Sequence, residues 1–250
     1  MPTILVTGGT GTLGRPAVGY LRSAGHAVRV LSRKGRPASD RAPGITWLAG
    51  DLSTGDGIAA AVDGADVIIH LATSRGRHDL EQAHHVLRAA RDARTAHLVV
   101  MSIVGIDSIP LSYYRHKLEV ERLVGESGVP YTIQRATQFH NLLDEIFRIR
   151  LPVLAAPAVT LQPISVDDVA ARLAELATHS PANGRAPDIG GPEERSVPDL
   201  ARAWRAARGS RRAVVPVRIP GTIFRAFASG AALGPAYGTM TFADYLGGKA

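Results

Sequence analysis

Tyr113 and Lys117 stand four positions apart in a stretch, 112–126, whose pattern predicts a helix. That spacing puts both side chains on one helical face. A phenol beside an ammonium ion gives up its proton more readily, because the cation stabilises phenolate. The pair can therefore exchange a proton with a carbonyl or alcohol oxygen. Ser102 follows the apolar run His97-Leu98-Val99-Val100-Met101, a predicted strand, and its hydroxyl is a candidate to hold the same oxygen. An exposed tyrosine and a solvated lysine would show the same spacing, so its weight comes from the elements that carry it. Tyr114, next in line, is expected to pack into the core.

The first of those elements opens the chain. Ile4, Leu5 and Val6 form a β-branched and aliphatic run, followed by Thr7-Gly8-Gly9-Thr10-Gly11-Thr12-Leu13-Gly14 and then apolar residues at helical spacing over 15–24. Strand, glycine turn and helix in that order are the context of a dinucleotide-binding fingerprint. Gly9, Gly11 and Gly14 match G-x-G-x-x-G, and Gly8, Gly11 and Gly14 match the looser G-x-x-G-x-x-G. One glycine makes the sharp turn, another lets backbone N–H groups approach a pyrophosphate, and a third lets the helix pack on the strand. The phosphates would sit at the helix N-terminus, where the dipole and unpaired N–H groups favour anions. With a nicotinamide dinucleotide there, proton exchange at Tyr113 accompanies hydride transfer, and Lys117 is also able to bond the nicotinamide ribose.

A second strand, 27–31, ends at Ser32-Arg33-Lys34. An acidic residue at this place would bind a free ribose 2′-hydroxyl. A hydroxyl and two cations suit a 2′-phosphate instead, since arginine matches phosphate by bidentate pairing. The expected cofactor is NADP(H). Arg36 and Arg41 make an ordinary basic loop the competing reading. Strand 45–49 leads to Gly50-Asp51-Leu52, bringing Asp51 near the adenine, and strands follow at 66–72, 97–101 and 131–134, with helices at 79–94 and 112–126 between them. This alternation predicts an α/β fold, a Rossmann-type doubly wound parallel sheet. His70 reads as a hydrogen-bonded core histidine. His84 and His85 project about 100° apart on a helix, and no metal site is expected.

Beyond 135 the regularity loosens. A helix over 138–149, a short strand at 159–161, a helix capped at Ser165 and running to 178, a strand-like piece at 188–190, a helix 197–208 capped by Ser196 and a strand 214–219 are expected; the tail from 221 is hardest to read. The expected organisation is a single domain over 1–250. A dinucleotide-binding core covers 1–135, and 136–250 is a mixed region completing the sheet and forming a small C-terminal substrate lobe over the strand ends.

Composition sets the outer bounds. The 250 residues are 45% hydrophobic and 20% charged, with no cysteine, so disulfides and thiolate chemistry are excluded. No apolar stretch reaches the ~20 residues that span a bilayer. Because the chain enters the fingerprint strand at once, no secretory signal is expected, and the cytoplasm is the expected address. The net charge of +7 rests on 29 basic residues, of which only Lys34, Lys117 and Lys249 are lysine. The arginines are scattered among acidic neighbours, so neither nucleic acid nor membrane is an expected partner. A small-molecule substrate is expected, and the oligomeric state is left open.

Thr-Gly-Gly-Thr-Gly-Thr-Leu-Gly at 7–14, Gly-Asp-Leu at 50–52, His-Leu-Ala-Thr at 70–73 and Tyr-x-x-x-Lys at 113–117 resemble the short-chain dehydrogenase/reductase superfamily. Ser102-Ile103-Val104-Gly105-Ile106, Tyr114-Arg115-His116-Lys117, Arg135-Ala136-Thr137-Gln138-Phe139 and Gln162-Pro163-Ile164-Ser165-Val166-Asp167-Asp168-Val169-Ala170 narrow the resemblance to its atypical, NmrA-like branch of NAD(P)H-binding proteins. The resemblance implies that Thr10, Gly11, Thr12 and Leu13 hold the pyrophosphate and Arg33 with Lys34 the 2′-phosphate. It also implies that Leu71, Ala72 and Thr73 line the cofactor and that Ala136, Thr137 and Phe139 lie near the nicotinamide. Ser102 precedes Tyr113 by 11 positions, a shorter interval than is usual in the catalytic members. The branch also contains members that bind the cofactor without turning it over and act as redox-sensing regulators. The expectation is an NADPH-dependent reductase of a small organic acceptor such as a quinone or conjugated carbonyl. A non-catalytic NADP(H) sensor is the alternative, and a nucleotide-sugar epimerase a third reading that needs a larger substrate lobe.

Overall fold

The computed structural model describes residues 1–35, 44–74 and 76–248; Arg36 and Arg41 lie outside them. In chain order the elements begin with β1 (Thr3–Thr7), α1 (Gly14–Ser23), β2 (Ala27–Ser32), β3 (Ile45–Ala49), α2 (Ile58–Val62) and β4 (Val67–His70). They continue with α3 (His78–Asp92), β5 (His97–Ile103), α4 (Ser112–Glu126), β6 (Tyr131–Ala136), α5 (His140–Arg148), β7 (Leu154–Pro157), β8 (Thr160–Leu161) and α6 (Val166–Leu176). The last are β9 (Gly184–Arg185), β10 (Arg195–Ser196), α7 (Val197–Ala207), β11 (Val214–Val217), α8 (Thr222–Ala228) and α9 (Phe242–Gly247).

Seven strands form one parallel sheet in the order β3-β2-β1-β4-β5-β6-β9. The order reverses beside β1, which pairs with β2 on one side and β4 on the other. In such sheets ligands bind beyond the carboxyl ends of the strands at the reversal. Ile4, Leu5 and Val6 are wholly buried, as are Ile68 and Ile69 on β4, which is what a strand covered by helices on both faces requires. The helices explain the covering. On α1 the buried residues are Gly14, Ala17, Val18 and Leu21, one stripe at helical spacing. On α3 the buried stripe is Asp79, Ala83, Val86, Leu87 and Ala90. On α4 it is Tyr114, Lys117, Val120, Glu121 and Val124. Three of these core-facing positions carry a charge.

The chain divides into two compact units, the first comprising 1–102, 112–135 and 170–187 and the second 103–111, 136–169 and 188–250. The first holds nearly all of the parallel sheet. The second contains two small two-stranded sheets, β7 with β11 in parallel and β8 with β10 antiparallel. Its polar anchor is Asp144 on α5, which accepts hydrogen bonds from Trp204 Nε1 at 2.8 Å and Tyr245 Oη at 3.3 Å and pairs with Arg148 at 3.1 Å.

The later chain departs from its sequence reading in two places. The strand expected at 159–161 is only the two-residue β8, and the pairing strand of that region is β7, which runs to Pro157. Proline is tolerated there because β7 and β11 form a two-stranded sheet, each strand an edge. The strand-like piece at 188–190 is not a strand either. The sheet is completed by β9, and Ile189 makes a single bridge to Ala136.

Candidate active site

The glycine turn between β1 and α1 is built as the three glycines require. Gly8 has φ +69, and a Cβ on it would lie 2.7 Å from the Ala72 nitrogen. A Cβ on Gly14 would lie 2.1 Å from the Gly8 carbonyl oxygen, so any side chain there would push α1 off the strand. Gly11 donates its N–H to the Gly8 carbonyl at 2.9 Å and is exposed with Thr10 and Thr12, whereas Leu13 is buried. Turn-making, helix packing and an open backbone face thus fall to Gly8, Gly14 and Gly11 in that order, the looser of the two glycine patterns.

At the carboxyl end of β2, the Ser32 carbonyl accepts the N–H groups of Gly35 and Gly50, each at 3.2 Å. Arg33 and Lys34 are the central residues of this turn, both exposed. Asp51 is half-buried and turns the chain after β3 by accepting the Ser53 N–H at 2.8 Å. The Leu52 carbonyl meets His85 Nδ1 at 2.7 Å. Leu71 donates its N–H to the Thr7 carbonyl at 3.2 Å, so the segment from Leu71 through Ala72 to Thr73 leaves β4 alongside the end of β1. These donors and cations fit a dinucleotide: an open backbone turn at a helix N-terminus for the phosphates, and two exposed cations at the second strand's end.

The candidate proton-transfer residues lie on α4 and β5. Tyr113 is half-buried and Lys117 buried on α4. The Tyr113 hydroxyl is 3.4 Å from Thr73 Oγ1, and Thr73 Oγ1 donates to Asp79 Oδ2 at 2.6 Å. Burial pulls the Lys117 ammonium below its ordinary pKa, opposed by the charges of Asp79 and Glu121. Glu121 is locked by Arg135, whose Nε and NH2 donate to its two oxygens at 2.8 and 2.6 Å with both side chains buried. Ser102 on β5 is buried at 1%, and its Oγ has no hydrogen-bond partner among the described residues. His70 is the core histidine the sequence suggests, bonded to Thr7 Oγ1 at 2.8 Å and held neutral at a pKa of about 4 by burial, with Lys117 adding to the shift. Tyr114 packs in the core at 7% exposure, its ring edge-on to that of Tyr113.

In the second unit, Ala136 and Thr137 are buried and Phe139 is half-buried. Thr137 donates its N–H to Ile189 at 3.0 Å and its hydroxyl to the Gln162 carbonyl. Gln162 in turn donates to Gly191 and accepts from Gly234, both at 2.8 Å. Asp79, Thr73 as its partner, Glu121 and Arg135 were not visible as a network in the sequence. Their signal is an acidic or basic residue at a helical core position.

A parallel sheet with its glycine turn at the strand-order reversal and a tyrosine–lysine pair on α4 defines a nucleotide-dependent oxidoreductase type of fold. The family profile described as NAD(P)H-binding matches residues 8–180, and the chain belongs to that family. This agrees with the resemblance to the NmrA-like branch of the atypical short-chain dehydrogenases/reductases. A (4-alkanoyl-5-oxo-2,5-dihydrofuran-3-yl)methyl phosphate reductase of Streptomyces griseus is 32% identical over 76% of this chain and 68% of its own length. The photosystem II assembly factor Ycf39 of Trieres chinensis is 32% identical over 61% of this chain, which spans about half (52%) of that protein. Among solved structures, an NADPH-dependent quinone oxidoreductase from Escherichia coli, complexed with NADPH, shares the fold with a TM-score of 0.81 at 18% identity, covering 98% of this chain and 99% of that one. Among the described residues no helix is long and apolar enough to cross a membrane, and no group of three or more His, Asp or Glu side chains is placed to hold a metal ion.

Proposed function

We propose that the chain is an NADPH-dependent oxidoreductase that reduces a small organic acceptor, a quinone, ketone or other conjugated carbonyl compound. The observation that carries this reading is the placement of Tyr113 and buried Lys117 on one helix, with the Tyr113 hydroxyl 3.4 Å from Thr73 beyond the carboxyl end of β4. The relatives named as reductases support the same class.

When bound, the dinucleotide supplies the hydride. Thr10, Gly11, Thr12 and Leu13 hold its pyrophosphate through the backbone N–H groups of this turn other than that of Gly11, which the Gly8 carbonyl accepts, with Gly8 and Gly14 shaping the turn. Arg33 and Lys34, with Ser32, take the 2′-phosphate; Asp51 and Leu52 flank the adenine. Leu71, Ala72 and Thr73 line the cofactor, while Ala136, Thr137 and Phe139 serve the nicotinamide end. Tyr113 gives its hydroxyl proton to the acceptor oxygen. The Lys117 ammonium stabilises the phenolate left behind and bonds the nicotinamide ribose. Ser102, whose buried hydroxyl has no hydrogen-bond partner among the described residues, donates to the acceptor oxygen.

The test is NADPH oxidation across a panel of quinones, aldehydes and ketones, with NADPH and NADH affinities measured in parallel. Acceptor-dependent NADPH consumption is expected. Tight NADPH binding without turnover on any acceptor would favour the sensor reading. Arg33→Glu is expected to weaken NADPH about tenfold or more relative to NADH, as loss of a charge-assisted phosphate contact predicts. An unchanged ratio of affinities rules out Arg33 as the 2′-phosphate ligand.

A further inference from the structure

Asp79 occupies a core position on α3 and is 2% exposed, yet it carries a carboxylate. Its oxygens accept three hydrogen bonds at 2.6 Å, from Thr73 Oγ1, from the Ser74 hydroxyl and from the Ser74 N–H. Burial alone would raise its pKa; these bonds and the Lys117 charge outweigh burial and hold it below the ordinary range. A carboxylate that stays ionised accepts and never donates. The single proton of the Thr73 hydroxyl is therefore committed to Asp79, and the oxygen left facing Tyr113 is an acceptor. Across the 3.4 Å contact Tyr113 is then the group placed to donate, an arrangement that favours the protonated phenol.

The same carboxylate acts on Lys117. The helices α3 and α4 pack against each other, and Lys117 is 8% exposed. Among the described residues, Asp79 on α3 and Glu121 on α4 place negative charge on it, while His70 on β4 is neutral and Arg135 on β6 holds Glu121. Glu121 is already matched by the Arg135 guanidinium, whereas Asp79 accepts only hydroxyl and amide hydrogens among the described residues. Among the described residues, the remaining negative charge that acts on Lys117 is that of Asp79. A buried ammonium without such a counter-charge loses its proton.

We propose that Asp79 is the positioning residue of the Tyr113–Lys117 pair: it orients Thr73 so that Tyr113 is kept protonated, and it supplies the counter-charge that keeps Lys117 an ammonium ion. The inference rests on the oxidoreductase reading for its consequence but not for its measurement. Helix capping by Asp79 would explain the Ser74 bonds alone; it would not couple Asp79 to Lys117.

The chain has three lysines, Lys34, Lys117 and Lys249, so 13Cε-lysine labelling gives three resonances, and a Lys117→Met variant identifies the one that matters. In the cofactor-free protein, Asp79→Asn is expected to make Lys117 titrate at lower pH than in wild type. Asp79→Glu is expected to restore the wild-type titration, and Ser74→Ala, which removes a helix-start bond but not the charge, to leave it unmoved. Coincident Lys117 curves in folded D79N and wild type overturn the proposal. Should D79N not fold, the reciprocal experiment decides: in Lys117→Met the Asp79 carboxyl, followed by 13Cγ, must titrate at higher pH, and an unchanged curve overturns the proposal equally. In turnover, D79N is expected to lower kcat about tenfold with KM for NADPH little changed. It also moves the alkaline limb of kcat to lower pH, because loss of an anion lowers the pKa of Lys117. A shifted Lys117 titration in a protein that reduces no acceptor supports the link while refuting the reductase reading, so the two failures are separable.

Discussion

Two buried carboxylates on helical core stripes, Asp79 on α3 and Asp144 on α5, show how the same residue type serves different ends. Asp144 is 4% exposed and surrounded by strong donors: the Trp204 indole, the Tyr245 hydroxyl, and the guanidinium groups of Arg148 at 3.1 Å and Arg208 at 3.7 Å. Burial pushes its pKa up, but the Trp204 and Arg148 hydrogen bonds and the two cations bring it below the usual range. It joins α5 to α7 and α9, and its charge is matched where it stands. Asp79 is equally buried but is held by two hydroxyls and an amide, and its charge is felt by a lysine on the neighbouring helix. A carboxylate saturated by cations and ring donors stabilises a fold. One held by small neutral donors leaves its charge to act on a buried cation nearby.

The substitution with the largest expected effect on stability is Asp144→Ala. Removing one partner of a buried charged network is expected to cost about 3 kcal/mol of stability, read as a lower midpoint in urea unfolding, with little change in cofactor affinity of the folded fraction. A loss comparable to that of an ordinary surface substitution would contradict the structural role of Asp144.

For one pH unit of acidification, a smaller effect sets one histidine of each compact unit against acid. His70 and His140 are both held at a pKa of about 4, chiefly by burial. Each folded-state value lies below the ordinary ~6.5, so between those values the unfolded chain binds more protons. Stability is therefore full above pH ~6.5 and falls as the pH drops towards ~4, by at most ~1.4 kcal/mol per pH unit for each histidine. Urea unfolding at stepped pH should show this slope, and a flat profile over that window contradicts it. Smallest of the three is the cap of α7, where Ser196 Oγ accepts the Asp199 N–H at 3.2 Å. Ser196→Ala is expected to cost about 1 kcal/mol, measured by the same unfolding.

Much of the first unit was legible because its signals are local. The strand at 45–49 and the helix at 112–126 have the bounds that the sequence pattern gives them. The glycines at 8, 11 and 14 announce a turn whose geometry admits little else. The later chain was harder for physical reasons. β7 and β9 are short strands of four and two residues, too short for a period to register, and α9 is signalled only by its capping box, Thr241 with Asp244. The candidate site was half visible. Tyr113 and Lys117 stand at one spacing on one helix, but the Glu121–Arg135 pair is 14 residues apart and the Thr73–Asp79 bond depends on how the β4–α3 connection turns. What the sequence did offer, and periodicity alone would have exposed, is that Asp79, Lys117, Glu121 and Asp144 each fall at apolar positions of an amphipathic stripe.

In the proposed reaction Tyr113 supplies the proton. The most direct measurement of this step is steady-state NADPH oxidation with the best acceptor of the panel, wild type against Tyr113→Phe, with NADPH affinity determined for both. The account expects kcat to fall about a hundredfold or more while NADPH binds with unchanged affinity. Equal kcat in the two proteins would contradict it and leave the acceptor to take its proton from elsewhere.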